Sequence, residues 1–411
     1  MYLKISQATS SLKERDFFFL WVGIIALMSG VQMQMLVRGY LVYELEDSGT
    51  LLGLVNAGAA MPMLAFSLFG GVIADRLNRK RIIQIGQFCS FAIAFSVFIL
   101  IESGFVHWSH LLIAAILQGG IFAFMMPARQ ALIPQLVGKS LVSNALALNA
   151  AAMSATTLAA PALAGILYGT IGPGKVYFLI SILSLLAAAL TLFIRHSGEI
   201  GNNSVKSRKT EPSSVFRDIK EGFEYLRGRR LIQILLIMAL ATTLLAMPFR
   251  FLMPIFIVDI YQLGADSMGL LVAIMGAGSL IGALYIAAKG NKNRGILLLW
   301  GTLLSGVSLL FVSLVPFYYF AAIMMIPLGL GDASRRTINM ALVMEITDDE
   351  FRGRVMSIFQ LNFGLMPLGI LPAGIAADVF GGQFVIGILA VALIVFTGWV
   401  WVLRPEVRVT Q

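Results

Sequence analysis

One cysteine, Cys89, and three histidines, His107, His110 and His196, are all the soft metal ligands the 411 residues contain. A lone cysteine forms no disulfide within the chain and no thiolate metal site. The histidines make no ligand cluster, so no metal is expected. Charge is scarce as well. Asp, Glu, Lys and Arg together supply 12% of the residues, about half the share a water-soluble domain carries. Apolar residues make up 58%, and the mean hydropathy is +0.87. So little charge excludes a surface that faces mainly water. A nucleotide site is excluded too. Gly169 to Lys175 has the spacing of a phosphate-binding loop, but Val176 stands where Ser or Thr must meet magnesium.

What the chain has in abundance is long apolar runs. Spanning helices need about twenty such residues, because backbone polar groups cannot stay unpaired in lipid. The runs are 17–37, 51–74, 82–101, 111–129, 141–169, 176–194, 231–253, 267–288, 295–315, 317–335, 355–377 and 383–403. Pro173 and Pro316 mark turns inside two uncharged stretches too long for one crossing. The ends are least defined near 38–50 and 250–262, where charges and prolines interrupt. No cleavable leader is expected, since Lys4, Lys13 and Arg15 lead into a run long enough to span.

The net charge of +9 resembles a nucleic-acid signal only until the positions are read. The basic residues fall between the runs, so no nucleic-acid partner is expected. With both termini in the cytoplasm, 27 of the 30 Lys and Arg residues lie in loops on that side. Arg335 and Arg336 are counted there, in the loop after the tenth run; Arg38, Lys175 and Arg250 fall elsewhere. Moving the helix count by one destroys this split. Residues 197–214 read as a polar linker. After it, Val215, Phe216, Ile219, Phe223 and Leu226 recur at helical spacing, as in an amphipathic helix on the membrane surface. The domain reading is therefore 1–195, a six-helix bundle; 196–230, a cytoplasmic linker with an amphipathic helix; and 231–411, a second six-helix bundle. Ala162-Leu-Ala-Gly165 through Gly172 aligns with Leu371-Pro-Ala-Gly374 through Gly381, and Arg38 pairs with Arg250 at a similar offset. Such internal duplication is a transporter signature.

Gly70-Gly71-Val-Ile-Ala-Asp75-Arg76-Leu-Asn78-Arg79-Lys80 lies between the second and third runs. Here the chain resembles the major facilitator superfamily, whose signature at this place reads G-x-x-x-D-R-x-G-R-K. Gly71, Asp75, Arg76, Arg79 and Lys80 match; Asn78 replaces a glycine, and because Asn tolerates left-handed angles a tight turn is still expected. The Pro127-Ala128-Arg129-Gln130 stretch and Arg352-Gly353-Arg354-Val355-Met356-Ser357 look like the siderophore and macrolide efflux branch, which includes the enterobactin exporter. The resemblance covers essentially the whole chain. It implies an all-α membrane protein of twelve spans in two pseudo-symmetric bundles, working by alternating access in a bacterial cytoplasmic membrane. It implies export of an amphipathic or siderophore-like small molecule, driven by a proton or other ion gradient. A monomer with no cofactor and no enzymatic activity is expected. The alternatives are an uptake symporter, a lysophospholipid flippase-type transporter, and a non-transporting sensor or scaffold.

The same resemblance assigns Gly71, Asp75, Arg76, Arg79, Lys80, Arg352 and Arg354 to a cytoplasmic gate, with Asp75 near the start of the eleventh helix. Asp75 also precedes Arg79 by four residues, within ion-pair reach if the turn is helical. Pro161 and Gly165 sit in Ala160-Pro161-Ala-Leu-Ala-Gly165, similar to the antiporter motif of drug exporters, although alanines replace its first and second glycines. Polar residues at membrane depth line a candidate substrate pathway: Gln32, Asn56, Gln118, Asn149, Gln360 and Asn362. Bonding between helices is the competing reading for each. Charges inside a membrane are expensive and usually functional. Arg38 and Arg250 either meet an anionic substrate or snorkel to headgroups. Asp332 is the candidate proton carrier, against an ion pair with Arg335 and Arg336, three and four residues on.

Overall fold

The computed structural model describes residues 9–195, 221–290 and 292–410, with side chains left out at 67–76 and 363. No strand occurs among the described residues. The helices are α1 (Arg15–Glu46), α2 (Gly49–Arg76), α3 (Arg79–Glu102), α4 (Trp108–Leu132), α5 (Val142–Ile171) and α6 (Pro173–Leu192). They continue as α7 (Arg230–Leu245), α8 (Met247–Ile255), α9 (Ala265–Lys289), α10 (Arg294–Leu314), α11 (Tyr318–Ile346), α12 (Arg352–Gly364), α13 (Pro367–Phe380) and α14 (Gly382–Leu403). Eleven spans are long and apolar enough to cross a bilayer among the described residues, with α7–α8 and α12–α13 each counting as one. The 29-residue α11 is long enough as well, and it holds Asp332, Arg335 and Arg336 at its centre.

The chain divides into two compact units: Met1–Leu41 with Gly58–Lys209, and Val42–Ala57 with Thr210–Gln411. The first unit is built around Phe17, Leu20 and Leu27 of α1, Ile83 of α3 and Leu132 of α4. Polar ties cross its helices: Trp21 donates to the Leu148 carbonyl at 3.0 Å, and Gln118 donates to Ser90 at 3.0 Å. The second unit packs Leu235 of α7, Leu298 of α10, Leu342 of α11 and Val400 of α14. Small residues bring its backbones close, as spanning helices require where lipid is as apolar as leucine. A Cβ on Gly329 would lie 2.0 Å from the Met275 carbonyl oxygen, so α9 and α11 touch backbone to backbone.

The internal repeat is visible in the turns. Gly172 and Gly381, which end the two aligned segments, both hold left-handed φ, +85° and +82°. Each ends one helix and starts the next without a loop. A side chain is strained at such angles.

Several expectations need correcting. The first helix does not end at Arg38; it continues to Glu46, and the chain turns at Asp47, whose φ is 45°. The tenth helix does not stop at Arg335 either. Nothing breaks the helical pattern until Thr347, so Arg335 and Arg336 lie mid-helix and not in a loop. The charged turn lowered the local hydropathy without ending the helix. Asn78 is extended, with φ −62°, and its side chain accepts from the Arg81 N–H at 3.1 Å. It starts α3 as a cap and makes no left-handed turn. The helix is interrupted at Leu77–Asn78, so Asp75 and Arg79 do not share one helical turn. The 197–214 linker and Val215, Phe216 and Ile219 lie outside the described residues. Of the amphipathic pattern, Leu226 is buried in the second unit's core while Phe223 is exposed.

Candidate functional site

Two spans of the second unit are discontinuous. The seventh breaks at Ala246 between α7 and α8, and the eleventh at Leu365–Met366 between α12 and α13. Pro248 and Pro367 follow the breaks, each supplying no N–H to the preceding turn. The breaks pack together, since a Cβ on Gly369 would lie 2.8 Å from the Leu244 carbonyl oxygen. Interrupted backbone at membrane depth is tolerated where protein or a cavity covers it, and broken helices commonly form transporter sites. A π-helical turn, Phe256–Ile260, follows α8 and carries Asp259.

Arg250 projects from α8, just past the first break. It lies near enough to Asp332 and Arg336 of α11 for its charge to act on both. Asp332 pairs with Arg335, three residues on, and with Arg336, four residues on, at 3.0 Å in the latter case. The proton-carrier candidate is thus held between two guanidinium groups. The Arg335 Nε has no hydrogen-bond partner among the described residues. Asn339, one turn on, gives its amide to the Leu235 carbonyl at 3.0 Å and leaves its own oxygen unpaired.

In the first unit Arg38 is 7% exposed and its Nε is unpaired. Tyr177 of α6 lies near enough to act on its charge, and the Tyr177 hydroxyl also has no partner among the described residues. A side chain so enclosed does not snorkel to headgroups. The other predicted pathway residues divide. Asn56 bonds its own helix at Leu52, at 2.9 Å, and Gln118 ties α4 to α3, so both have structural bonds. Asn149 and Asn362 each keep an unpaired amide atom, Gln32 is half-buried, and Gln360 is exposed. Sequence reading passed over Gln34, 4% exposed with its amide nitrogen unpaired, two residues from Gln32. Arg129, named in the sequence only as part of the efflux-branch stretch, is 4% exposed and has two guanidinium nitrogens without a partner among the described residues.

Of the predicted gate residues, Gly71, Asp75 and Arg76 have side chains outside the described set. Lys80 donates to the Ile194 carbonyl at 2.6 Å, just past α6, and Arg79 reaches the Ala131 carbonyl at 3.5 Å. Cations favour the carbonyl end of a helix. Arg352 pairs with Asp349 at 2.6 Å, and Arg354 with Glu221 at 2.9 Å. Tyr225 stacks on Phe351 with centroids 4.3 Å apart, so the chain before α7 docks on the start of α12. Pro161 and Gly165 are buried in α5.

A further constellation was not foreseen. The tip of the first hairpin, Val42–Ala57, belongs to the second unit. Asp378, near the end of α13, accepts hydrogen bonds from the Gly49 N–H at 2.5 Å, the Thr50 N–H at 2.9 Å and the Ser48 hydroxyl at 3.1 Å. It caps the start of α2 from across the fold, where free N–H groups and the helix dipole favour an anion. Beside it, the Tyr43 hydroxyl donates to Asp259 at 2.5 Å. Gly49 and Gly374 touch so closely that a Cβ on Gly374 would lie 2.3 Å from the Gly49 carbonyl oxygen.

Comparison with known proteins sets this geometry in context. A family model described as transmembrane secretion effector matches residues 6–410. Macrolide efflux protein A of Streptococcus pyogenes is 26% identical over 373 residues, covering 89% of this chain and 90% of that protein. Staphyloferrin A transporter of Staphylococcus aureus is 25% identical over 388 residues, covering 92% and 90%. Among solved structures, a bacterial homolog to the human lysosomal transporter Spinster superposes with a TM-score of 0.75 at 13% identity, over 96% of this chain and 98% of that one. The nucleoside transporter NupG gives a TM-score of 0.72 at 13% identity, over 93% and 97%.

Proposed function

The chain belongs to the transmembrane secretion effector family, in the siderophore and macrolide efflux branch of the major facilitator superfamily, and on that premise we propose that it exports an amphipathic or siderophore-like small molecule in exchange for protons. It is a membrane transporter and not an enzyme. In the proposed cycle the chain sits in the bacterial cytoplasmic membrane with both termini inside, and a monomer alternates between inward and outward access.

The observation that carries the reading is the lock at the hairpin tip. Three hydrogen bonds converge on Asp378, and a helix cap of this kind is worth about 1–2 kcal/mol. Alternating access needs a closure of that size, strong enough to bias a state and weak enough to break in every cycle. With the termini inside, the turn between α1 and α2 is outside, and the lock holds that turn against the end of α13. Loop 2–3, with Asp75, then closes the inner end in the opposite state. The direction of transport is supported by the efflux-named relative.

Efflux of a panel of macrolides, siderophores and dyes from energised cells tests this, with and without an uncoupler. Uncoupler-sensitive loss of any of them supports export. Accumulation reverses the direction. No movement of any compound, with the protein folded in the membrane, shifts the reading to lipid flipping or a non-transport role.

A further inference from the structure

The charges within the spans of the second unit do not balance. Arg250, Arg335 and Arg336 surround the single carboxylate of Asp332. Among the described residues, the ion pairs of Arg335 and Arg336 both end on Asp332, the carboxylate whose charge also acts on Arg250. Two positive charges are left in excess.

Their depth makes that excess costly. Asp332 lies about 21 Å along α11 from its first residue, Tyr318, at 1.5 Å per residue. Arg250 lies about 15 Å from the end of its span at Ile260. A hydrocarbon core about 30 Å thick therefore contains both. Uncompensated charge at that depth persists where it has a function. The cluster is not sealed either. Arg335, Asp332 and Arg336 keep 11%, 20% and 51% of their side-chain surface accessible. With Asn339 they lie along one face of α11, at spacings of three and four residues.

We propose that this cluster binds the substrate, and that the substrate is a small organic anion with at least two carboxylates. The inference rests on the reading of the chain as an exporter of small molecules, and it narrows that substrate. A dianion cancels the excess. Guanidinium groups offer planar forks that match carboxylates two bonds at a time. A lipid headgroup has the same charge sign, but it belongs at the membrane surface and not deep in the hydrocarbon core. Asp332 is then a positioning residue. It holds Arg335 and Arg336 in place and leaves Arg250 and the outer face of Arg336 to the ligand. It is not the exchanged-proton site for this anion. A proton on Asp332 raises the excess to three charges and strengthens anion binding, whereas exchange requires the two to oppose each other.

The test is calorimetric titration of citrate into the purified full-length protein in phosphatidylcholine nanodiscs, with uncharged triethyl citrate as control. Saturable binding of citrate alone is expected. Arg250→Gln should weaken it by about tenfold or more, the value of one charged hydrogen bond. The same substitution should raise the melting temperature of the ligand-free protein, because it removes an unbalanced, half-buried charge. Asp332→Asn, where it folds, should bind citrate more tightly, the opposite of what loss of a structural ion pair does. No citrate binding by the unaltered protein, or equal binding by Arg250→Gln, overturns the proposal. Repeating the titration with phosphatidylglycerol in the discs separates the anion sources. If that lipid abolishes citrate binding and co-purifies with the unaltered protein but not with Arg250→Gln, the occupant is a lipid and the proposal fails. Dye or macrolide efflux without citrate binding sinks this site and leaves the exporter reading standing. Citrate binding with no compound exported does the reverse.

Discussion

Removing the Asp378 carboxylate should open the hairpin tip. Asp378→Ala deletes one acceptor group that takes hydrogen bonds from Gly49, Thr50 and Ser48. Charged hydrogen bonds are worth about 1.5–3 kcal/mol each when buried, but Asp378 is exposed and two of these contacts meet solvent. Loss of a helix cap, about 0.5–2 kcal/mol, with loss of the dipole interaction, about 0.3–1 kcal/mol, is the better guide. The closed tip should therefore lose about 1–2 kcal/mol, a factor of about 5–30 in its equilibrium with the open form. The reporter is Val55→Cys in a Cys89→Ser background, which removes the one native thiol. Val55 is 0% exposed in the closed tip. A membrane-impermeant maleimide added to intact cells should label it about 5–30 times faster when Asp378 is Ala. Asp378→Asn keeps an acceptor oxygen and should give a smaller rise. Labelling that is unchanged or slower at equal expression refutes the lock.

Gly374→Ala places a Cβ 2.3 Å from the Gly49 carbonyl oxygen; α2 and α13 must part, so labelling of Val55→Cys should rise and the melting temperature should fall, at about 1–3 kcal/mol of overpacking. Tyr43→Phe removes the hydrogen bond to Asp259 and should raise the same labelling rate modestly, by the equivalent of about 0.5–1.5 kcal/mol. Asp75→Asn should slow efflux at equal expression, since the family resemblance assigns Asp75 to the inner closure; unchanged efflux counts against that assignment.

The spans were legible because hydropathy alone decides them. The turns at Gly172 and Gly381 were legible as an alignment, and they share left-handed backbone angles. What misled was charge. The apolar runs stop at Arg38 in the first helix and at Arg335 in the tenth, because hydropathy cannot tell a charge inside a helix from a loop. Both helices continue past their charges. The cluster of Arg250 with Asp332, Arg335 and Arg336 was half legible. The spacing of 332, 335 and 336 foretold the ion pairs, but nothing local placed Arg250 beside them. The lock at the tip was not legible, because Ser48 and Asp378 are 330 residues apart. Only a fold that brings the end of α13 to the start of α2 makes Asp378 a cap. Asn78 shows the limit of motif reading, since it replaces a glycine yet serves as an N-cap and not a left-handed turn.

The central claim, gradient-driven export, is tested most directly by reconstituting the purified protein in liposomes preloaded with a fluorescent substrate from the efflux panel, in both orientations, and imposing a pH gradient. Loss of the substrate should accelerate when the outside is made acidic, collapse when an ionophore dissipates the gradient, and slow in Asp378→Ala. Substrate loss at one rate with and without the gradient, by a protein that binds that substrate, would contradict proton exchange and the account built on it.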